Sequence, residues 1–461
     1  MAYNRPWTRL WCKNMARSRY HQHDVTQGSL ASNIWGLTWP MTINQALFLL
    51  PGLYDAIWLG QLGPEAQAAA ALTMSVRITM VSVLMALSLA SGAVVARYVG
   101  AKDQDRANLA VLQAVILMVT AAGSLGLVGL AFARPLLTLA GADAATLPLA
   151  LRYARIIFAG LIAMEMVPSI GFMINAAGAP SVMLGMTLLS TVTLLVAEPL
   201  LVGWMGLEGA ALAMIGSNGL GMLWGLGVLV VGRAPVRLDL RNGRLDLPMM
   251  ARILRIALPA VVQRGTPNLT MSLLTRLVSS YGTPTLAAWM IAQRIFSFAL
   301  IPSLGVSGAT PAMVGQNLGA GQHERATRSV SFIARAALLV GGCILGLLAF
   351  FAPQIIALFS HDAETMAIGA HAVRLLSIGQ FCFVLSGVLD AAQAGAGDTL
   401  SPTVVNLIAF WLAQVPLAYL LSRPAGLGVE GIWLALVLGW GLQAALMFLR
   451  FRQGRWKLKR I

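Results

Sequence analysis

Apolar residues in this chain run in long blocks that leave no polar face. Six blocks lie near 34–57, 68–97, 108–132, 152–175, 182–204 and 208–232, and six more near 253–280, 285–314, 329–352, 371–394, 402–422 and 427–451. Crossing a hydrocarbon core of ~30 Å as a helix takes about 20 residues, and each block is long enough. The alternating segments of ~10 residues that mark barrel strands do not occur. In lipid every backbone polar group needs an internal partner, and a continuous helix supplies one. The pattern predicts an all-α integral membrane protein with twelve transmembrane helices.

Composition sharpens this. Apolar residues fill 58% of the 461 positions and charged residues only 11%, against roughly 25% charged in a soluble domain. The formal net charge of +15 could suggest nucleic acid, but its placement points to a membrane surface. Arg5, Arg9, Lys13, Arg17 and Arg19 crowd the amino tail, and Arg233, Arg237, Arg241 and Arg244 the central linker. Lys102, Arg106, Arg325 and Arg328 sit in two connections, and Arg450, Arg452, Arg455, Lys457, Lys459 and Arg460 close the chain. With twelve spans all of these fall on one side, the positive-inside pattern, so both termini are expected in the cytoplasm of a plasma (inner) membrane. Segment 1–33 has no apolar signal region. Cys12, Cys343 and Cys382 show no paired spacing, and His21 with His23 reads as a solvated tail rather than a metal site.

The chain repeats itself. "VARYVGAKDQDRAN" returns in the second half as "MVGQNLGAGQHERA", with Gly100, Ala101, Arg106 and Ala107 in register with Gly319, Ala320, Arg325 and Ala326. At the same offset Pro40 pairs with Pro259, Gly63 with Gly282, Ser88 with Ser307, Arg155 with Arg374 and Gly178 with Gly397, while Glu208–Gly209 returns slightly out of register as Glu430–Gly431. Each half holds six spans, an even number, so the halves are parallel repeats about an axis along the membrane normal. The expected division is a tail (1–33), a lobe (34–232), a linker (233–250), a second lobe (251–451) and a basic tail (452–461). Two six-helix lobes around a cleft suit alternating access. Gly100 and Gly319 are expected to provide the helix stop and tight turn after a span, and Arg106 and Arg325 to hold the connection to headgroups. No Gly-Lys-Ser/Thr follows, which argues against a phosphate-cradling loop.

The segments "PMTINQALFLLPGLYDAIWLGQLGPEAQAAA", "VGQNLGAGQHERA", "NAAGAPS" and "LDAAQAGAGDTLSPT" resemble signatures of the MATE (multidrug and toxic compound extrusion) family from about residue 33 to 450. The resemblance implies a twelve-helix antiporter that expels organic solutes while admitting H⁺ or Na⁺.

Departures from the repeat are where function should lie. Of seventeen acidic residues, Asp55, Glu165, Glu198 and Asp390 fall inside spans, and their repeat partners are Leu274, Val384, Leu417 and Gly171. A carboxylate at span depth costs ~2.5–3.5 kcal/mol on insertion scales and marks an ion or substrate path by default. Asp55 and Glu198 should lie at similar depth on outward-running spans, where two carboxylates in a poorly hydrated pocket cannot both ionise cheaply. A proton or Na⁺ relieves their repulsion; neutralising a buried cation such as Arg77 is the alternative. The resemblance gives both residues the ion-coupling role. It also shows Leu194 where the family often has Asn, which removes an oxygen ligand and favours H⁺.

Glu165 is a candidate for substrate binding or for a helix–helix hydrogen bond. Asp390, with Gln393 three residues on, matches one branch of the family and could bind a cationic substrate, belong to a second coupling site or cap a helix end. Arg264 and Arg294 lie deep in the second lobe, where they could hold an anionic group or pair with Asp390. Met164, Met166 and Met173 read mainly as core, with an adaptable cavity lining as the functional option. No nucleophile elbow or metal-ligand set sits at one depth, so an enzyme is not expected. A channel usually repeats its charges around a pore. The expected function is a multidrug efflux antiporter, with a flippase or exporter of lipid-linked or anionic substrates as the alternative. No cofactor, metal or nucleic acid is expected; the expected partners are a small organic substrate and membrane lipids, with the chain acting as a monomer.

Overall fold

The structure is a computed structural model that describes residues 24–239 and 243–459. Arg5, Arg9, Cys12, Lys13, Arg17, Arg19, His21, His23, Arg241 and Arg460 lie outside the described residues. Spans 1 to 3 are Leu30–Gln61, Pro64–Gly100 and Gln104–Ala131. Span 4 is the pair Leu147–Ala159 and Leu161–Ala176, bent by 47°. Spans 5 to 7 are Pro180–Met205, Leu207–Val231 and Leu247–Ser279. Span 8 is the pair Thr283–Ala299 and Ile301–Gly319, bent by 46°. Spans 9 to 12 are His323–Phe350, Ala363–Gly395, Leu400–Ser422 and Gly428–Arg452. Among the described residues twelve helical spans, two of them bent, make two six-helix lobes, each with its own buried apolar core.

By length and apolarity, eight helices, or ten when each bent pair counts as one span, could cross a membrane among the described residues. Spans 1 and 7 are the exceptions, and they are the first helix of each repeat. Span 1 buries Asn33, Thr38, Asn44 and Asp55, and span 7 carries Arg252, Arg255, Arg264 and Arg276. Each holds two internal prolines, Pro40 and Pro51 in one and Pro259 and Pro267 in the other. An internal proline removes an intrahelical hydrogen bond and kinks the helix. Each helix also sends side chains to the space between the lobes, Met41 and Gln45 from span 1 and Arg264 from span 7.

The repeat breaks in the bends. Span 8 is bent while its counterpart, span 2, runs unbroken for 37 residues. Span 4 is bent while its counterpart, span 10, is continuous over 33.

Gly100 and Gly319 have another use than the one expected. Neither has a positive φ; the left-handed residues lie two positions on, at Lys102 (φ 59°) and Gly321 (φ 72°). A Cβ on Gly100 would collide with the backbone carbonyl of Gln316, and one on Gly319 with that of Arg97. Arg97 and Gln316 are themselves repeat partners, at the same offset as Gly100 and Gly319. The glycines therefore let the lobes touch backbone to backbone, twice, about one pseudo-two-fold axis. Gln316 adds a bond from Nε2 to the carbonyl of Ala176 (2.7 Å), and Arg252 Nη1 donates to the Tyr98 hydroxyl (2.6 Å). The lobes are thus sealed at the end where spans 2 and 8 finish, the basic end.

The described segments that flank the two lobes reinforce the seal. Arg325 donates from Nε to the carbonyl of Val25 (3.1 Å) and from Nη2 to those of Gln27 (3.0 Å) and Gly28 (2.9 Å). It holds the amino segment to the second lobe rather than a loop to headgroups. Its repeat partner Arg106 is exposed beside Asp103 (3.5 Å). At the carboxyl end, Trp456 is buried and stacks on Phe451, with centroids 5.1 Å apart. Beyond it the Lys459 carbonyl accepts from Arg97 of the first lobe, and Lys459 Nζ lies 3.4 Å from Asp398.

Candidate functional site

Depth decides which polar groups can meet. Asp55 lies six residues before the end of span 1 and Glu198 seven before the end of span 5. The two spans pack together, and Tyr54 clamps them by donating its hydroxyl to the Leu195 carbonyl (3.0 Å). The carboxyls of Asp55 and Glu198 come within hydrogen-bonding reach of each other. Glu198 is fully buried and Asp55 nearly so. Asp55 Oδ1 and both Glu198 oxygens have no hydrogen-bond partner from any other side chain. Acceptors facing each other in a dry pocket are favourable only with a proton or cation between them.

Arg77 does not neutralise this pair. Its Nη2 donates instead to Glu165 Oε1 at 2.8 Å, a nearly buried ion pair between spans 2 and 4. Glu165 thereby joins two helices and lines neither of the two cavities described below. Between the two charged groups sits Tyr153, buried and close enough to feel Asp55, Arg77 and Glu198. Sequence reasoning passed over Tyr153. Its signal was depth, since it lies six residues inside span 4, the same distance from the outer end as Asp55. The first lobe thus gathers Asp55, Glu198, Tyr153, Arg77 and Glu165 in one interior.

Away from Asp390 and Asp398, the groups described in the interior of the second lobe are neutral. Ser386 Oγ donates to Gln443 Oε1 (3.1 Å) and Gln443 Nε2 to Asn406 Oδ1 (2.9 Å). Trp289 stacks on Trp433 at 5.1 Å. Gln393 is buried against span 12, its Nε2 directed at Met447 Sδ (3.6 Å), and does not line the cavity between the lobes. Arg294 is exposed on span 8 and lines neither cavity.

Asp390 and Arg264 do share a cavity. A space of about 300 Å³ lies between the lobes just above the basic-end seal, lined by Gln45, Asn175, Arg264, Ser307 and Asp390 among others. Gln263 Nε2 donates to Asp390 Oδ1, and Arg264 is the cation that acts on the same carboxylate. The cavity draws on spans 1, 2, 4 and 5 of one lobe and 7, 8 and 10 of the other. It lies in reach of any movement of the lobes.

An acid pair inside one lobe, apart from a polar cavity between two lobes closed at one end, is the arrangement of a membrane transporter of the alternating-access kind. The comparisons agree. The chain belongs to the MatE family, whose model matches residues 40–200 and again 259–420, the two matches starting at the repeat partners Pro40 and Pro259. It is 27% identical over 449 residues to a probable multidrug resistance protein, YpnP, of Bacillus subtilis, covering 95% of this chain and 98% of that one. It is 26% identical to a FAD transporter of Shewanella oneidensis, covering 90% of this chain and 93% of the relative. Among solved structures, one described as the outward-facing conformation of a multidrug resistance MATE family transporter superposes with a TM-score of 0.89. That match has 24% identity and covers 96% of this chain and all of the other.

Proposed function

We propose that the protein is a secondary active exporter that expels lipophilic organic cations in exchange for inward H⁺. The observation that carries this reading is the buried Asp55–Glu198 pair, three of whose oxygens have no other partner. The absence of an oxygen at Leu194 removes a ligand for Na⁺, which favours several oxygens, whereas a proton needs only the two carboxyls. Span 1 links the pair to the substrate cavity. Gln45 lines the cavity, Asp55 lies about 15 Å along the same helix, and Pro51 stands between them. Protonation at one end can bend span 1 at Pro51 and change the cavity at the other. The positive-inside pattern sets the basic end and both termini in the cytoplasm, with the cleft opening to the exterior. In this reading the protein sits in the plasma membrane and works as a monomer.

A reagent that cannot cross the membrane should label Gln61→Cys and Ser280→Cys on intact cells; protection of both sites overturns the topology. Binding of a quaternary dye in detergent, measured from about pH 5 to about pH 9, should weaken on acidification because proton and cation compete for carboxylates. Tighter binding at low pH, or binding of anionic dyes alone, overturns the substrate assignment. Arg264 in the cavity, together with the likeness to a FAD transporter, favours an anionic substrate as the second reading. Exchange in proteoliposomes with ΔpH and ΔpNa set independently separates H⁺ from Na⁺ coupling.

A further inference from the structure

A second cavity of about 250 Å³ lies wholly within the second lobe, among spans 7, 8, 10, 11 and 12. Among the described residues no charged side chain lines it. Phe296, Phe410 and Trp440 give it flat apolar walls, and Thr270, Gln293, Gln380 and Gln414 give it hydroxyl and amide groups. Thr270 is 2% exposed and Gln380 6%, yet Thr270 Oγ1 and Gln380 Oε1 have no hydrogen-bond partner. Burying such groups unpaired costs about 1–3 kcal/mol each. Gln293 Nε2 reaches only the thioether of Met271 at 3.6 Å, a weak acceptor that a better one would displace.

The backbone is unusual at the same place. Residues 407–414 of span 11 form a π-helix, whereas the matching span 5 is α-helical throughout. The π-helical stretch carries Phe410 and Gln414, two of the cavity's lining residues. Gly439 opposite leaves room for Gln414, since a Cβ there would stand 2.8 Å from its side chain. Widened helical turns of this kind occur frequently at functional sites. Leu300, Leu304 and Phe383 line both this cavity and the one between the lobes, at the bend of span 8. Three apolar side chains therefore separate the two.

We infer that this cavity is a second ligand site, built for an uncharged, planar heteroaromatic compound carrying a lactam or imide edge. The walls stack on the ring. The lactam N–H donates to Gln380 Oε1, and the adjacent carbonyl accepts from the Thr270 hydroxyl. A cation or anion would find no counter-charge here, and a lipid chain would leave both oxygens unpaired. The volume suits a compound of two rings, below the usual range for larger ligands. The site does not rest on the antiport reading: binding here and ion-coupled export in the cleft can fail separately.

Carbostyril, a fluorescent two-ring lactam, and its N-methyl analogue, which lacks the N–H, test this on the purified full chain in detergent. Carbostyril should bind saturably and about tenfold more tightly than the analogue. Gln380→Leu should weaken carbostyril by a similar factor and leave the analogue unchanged, while Thr270→Val weakens both. If Gln380→Leu does not fold, the two ligands on the unmodified protein and Thr270→Val decide the matter. No saturable binding, equal binding of the two compounds, or loss on filling the other cavity with Ser307→Trp but not with Gln380→Leu would overturn the assignment.

Discussion

Asp55→Asn abolishes exchange, leaving counterflow at the level of empty vesicles while the protein still inserts and folds. The substitution keeps shape and polarity but removes the group that can gain and lose a proton. It also gives the pocket a permanent donor, because the new amide can donate to Glu198, whose two oxygens have no other partner. Repulsion between two carboxylates disappears, and with it the force that makes one state of the first lobe prefer a proton. Stability should rise or stay level, since an uncompensated buried charge is removed. The check is dye or substrate exchange driven by ΔpH in proteoliposomes, with thermal unfolding measured beside it. Transport against a substrate gradient at the unmodified rate would remove Asp55 from the coupling site.

Gly100→Ala opens the basic end. One methyl group at this position meets the backbone of Gln316, which no rotamer change can move away. Overpacking of this kind costs about 1–3 kcal/mol in the state that contains the contact. In a two-state equilibrium that shifts the populations by about 5- to 150-fold. Ser307 lines the cavity between the lobes and makes a sensitive reporter. With Ser307→Cys as the only thiol, Cys12, Cys343 and Cys382 being replaced by Ala, an impermeant thiol reagent should label the cavity only from the side opposite the basic end. Adding Gly100→Ala should allow labelling from the basic side too, and Gly319→Ala should do the same by symmetry. Unchanged labelling in both would show that the seal lies elsewhere.

The span count, the parallel repeat and the shared depth of Asp55 and Glu198 were legible in the sequence because each is a property of position along a helix. Which helices neighbour each other is not such a property. Arg77 could be weighed from sequence only as a counter-ion for Asp55 and Glu198, and packing of span 2 on span 4 assigns it to Glu165 instead. The same limit hid Gln263 as the donor to Asp390, and placed Arg294 with the cavity residues though it lies outside. Gly100 was misread for another reason. A glycine near a helix end fits a turn equally well, and its real constraint, the carbonyl of Gln316, lies in the other half of the chain. The bends of spans 4 and 8 left no mark in hydropathy, because both arms of each are apolar.

The reciprocal contacts at the basic end have the form of a homodimer interface folded into one polypeptide. Gly100 meets Gln316 as Gly319 meets Arg97, so residue i touches the partner of j and j the partner of i, an isologous surface. The loose ends are exchanged across it, the amino segment gripped by Arg325 of one lobe and the carboxyl segment by Arg97 of the other. An isologous seal has no half-open form, since tilting one lobe breaks both glycine contacts together. If the basic end opens, as the proposed exchange requires, both glycine contacts must part together, and a chain cut within residues 243–246 would still carry two crossed clasps to hold its halves in register.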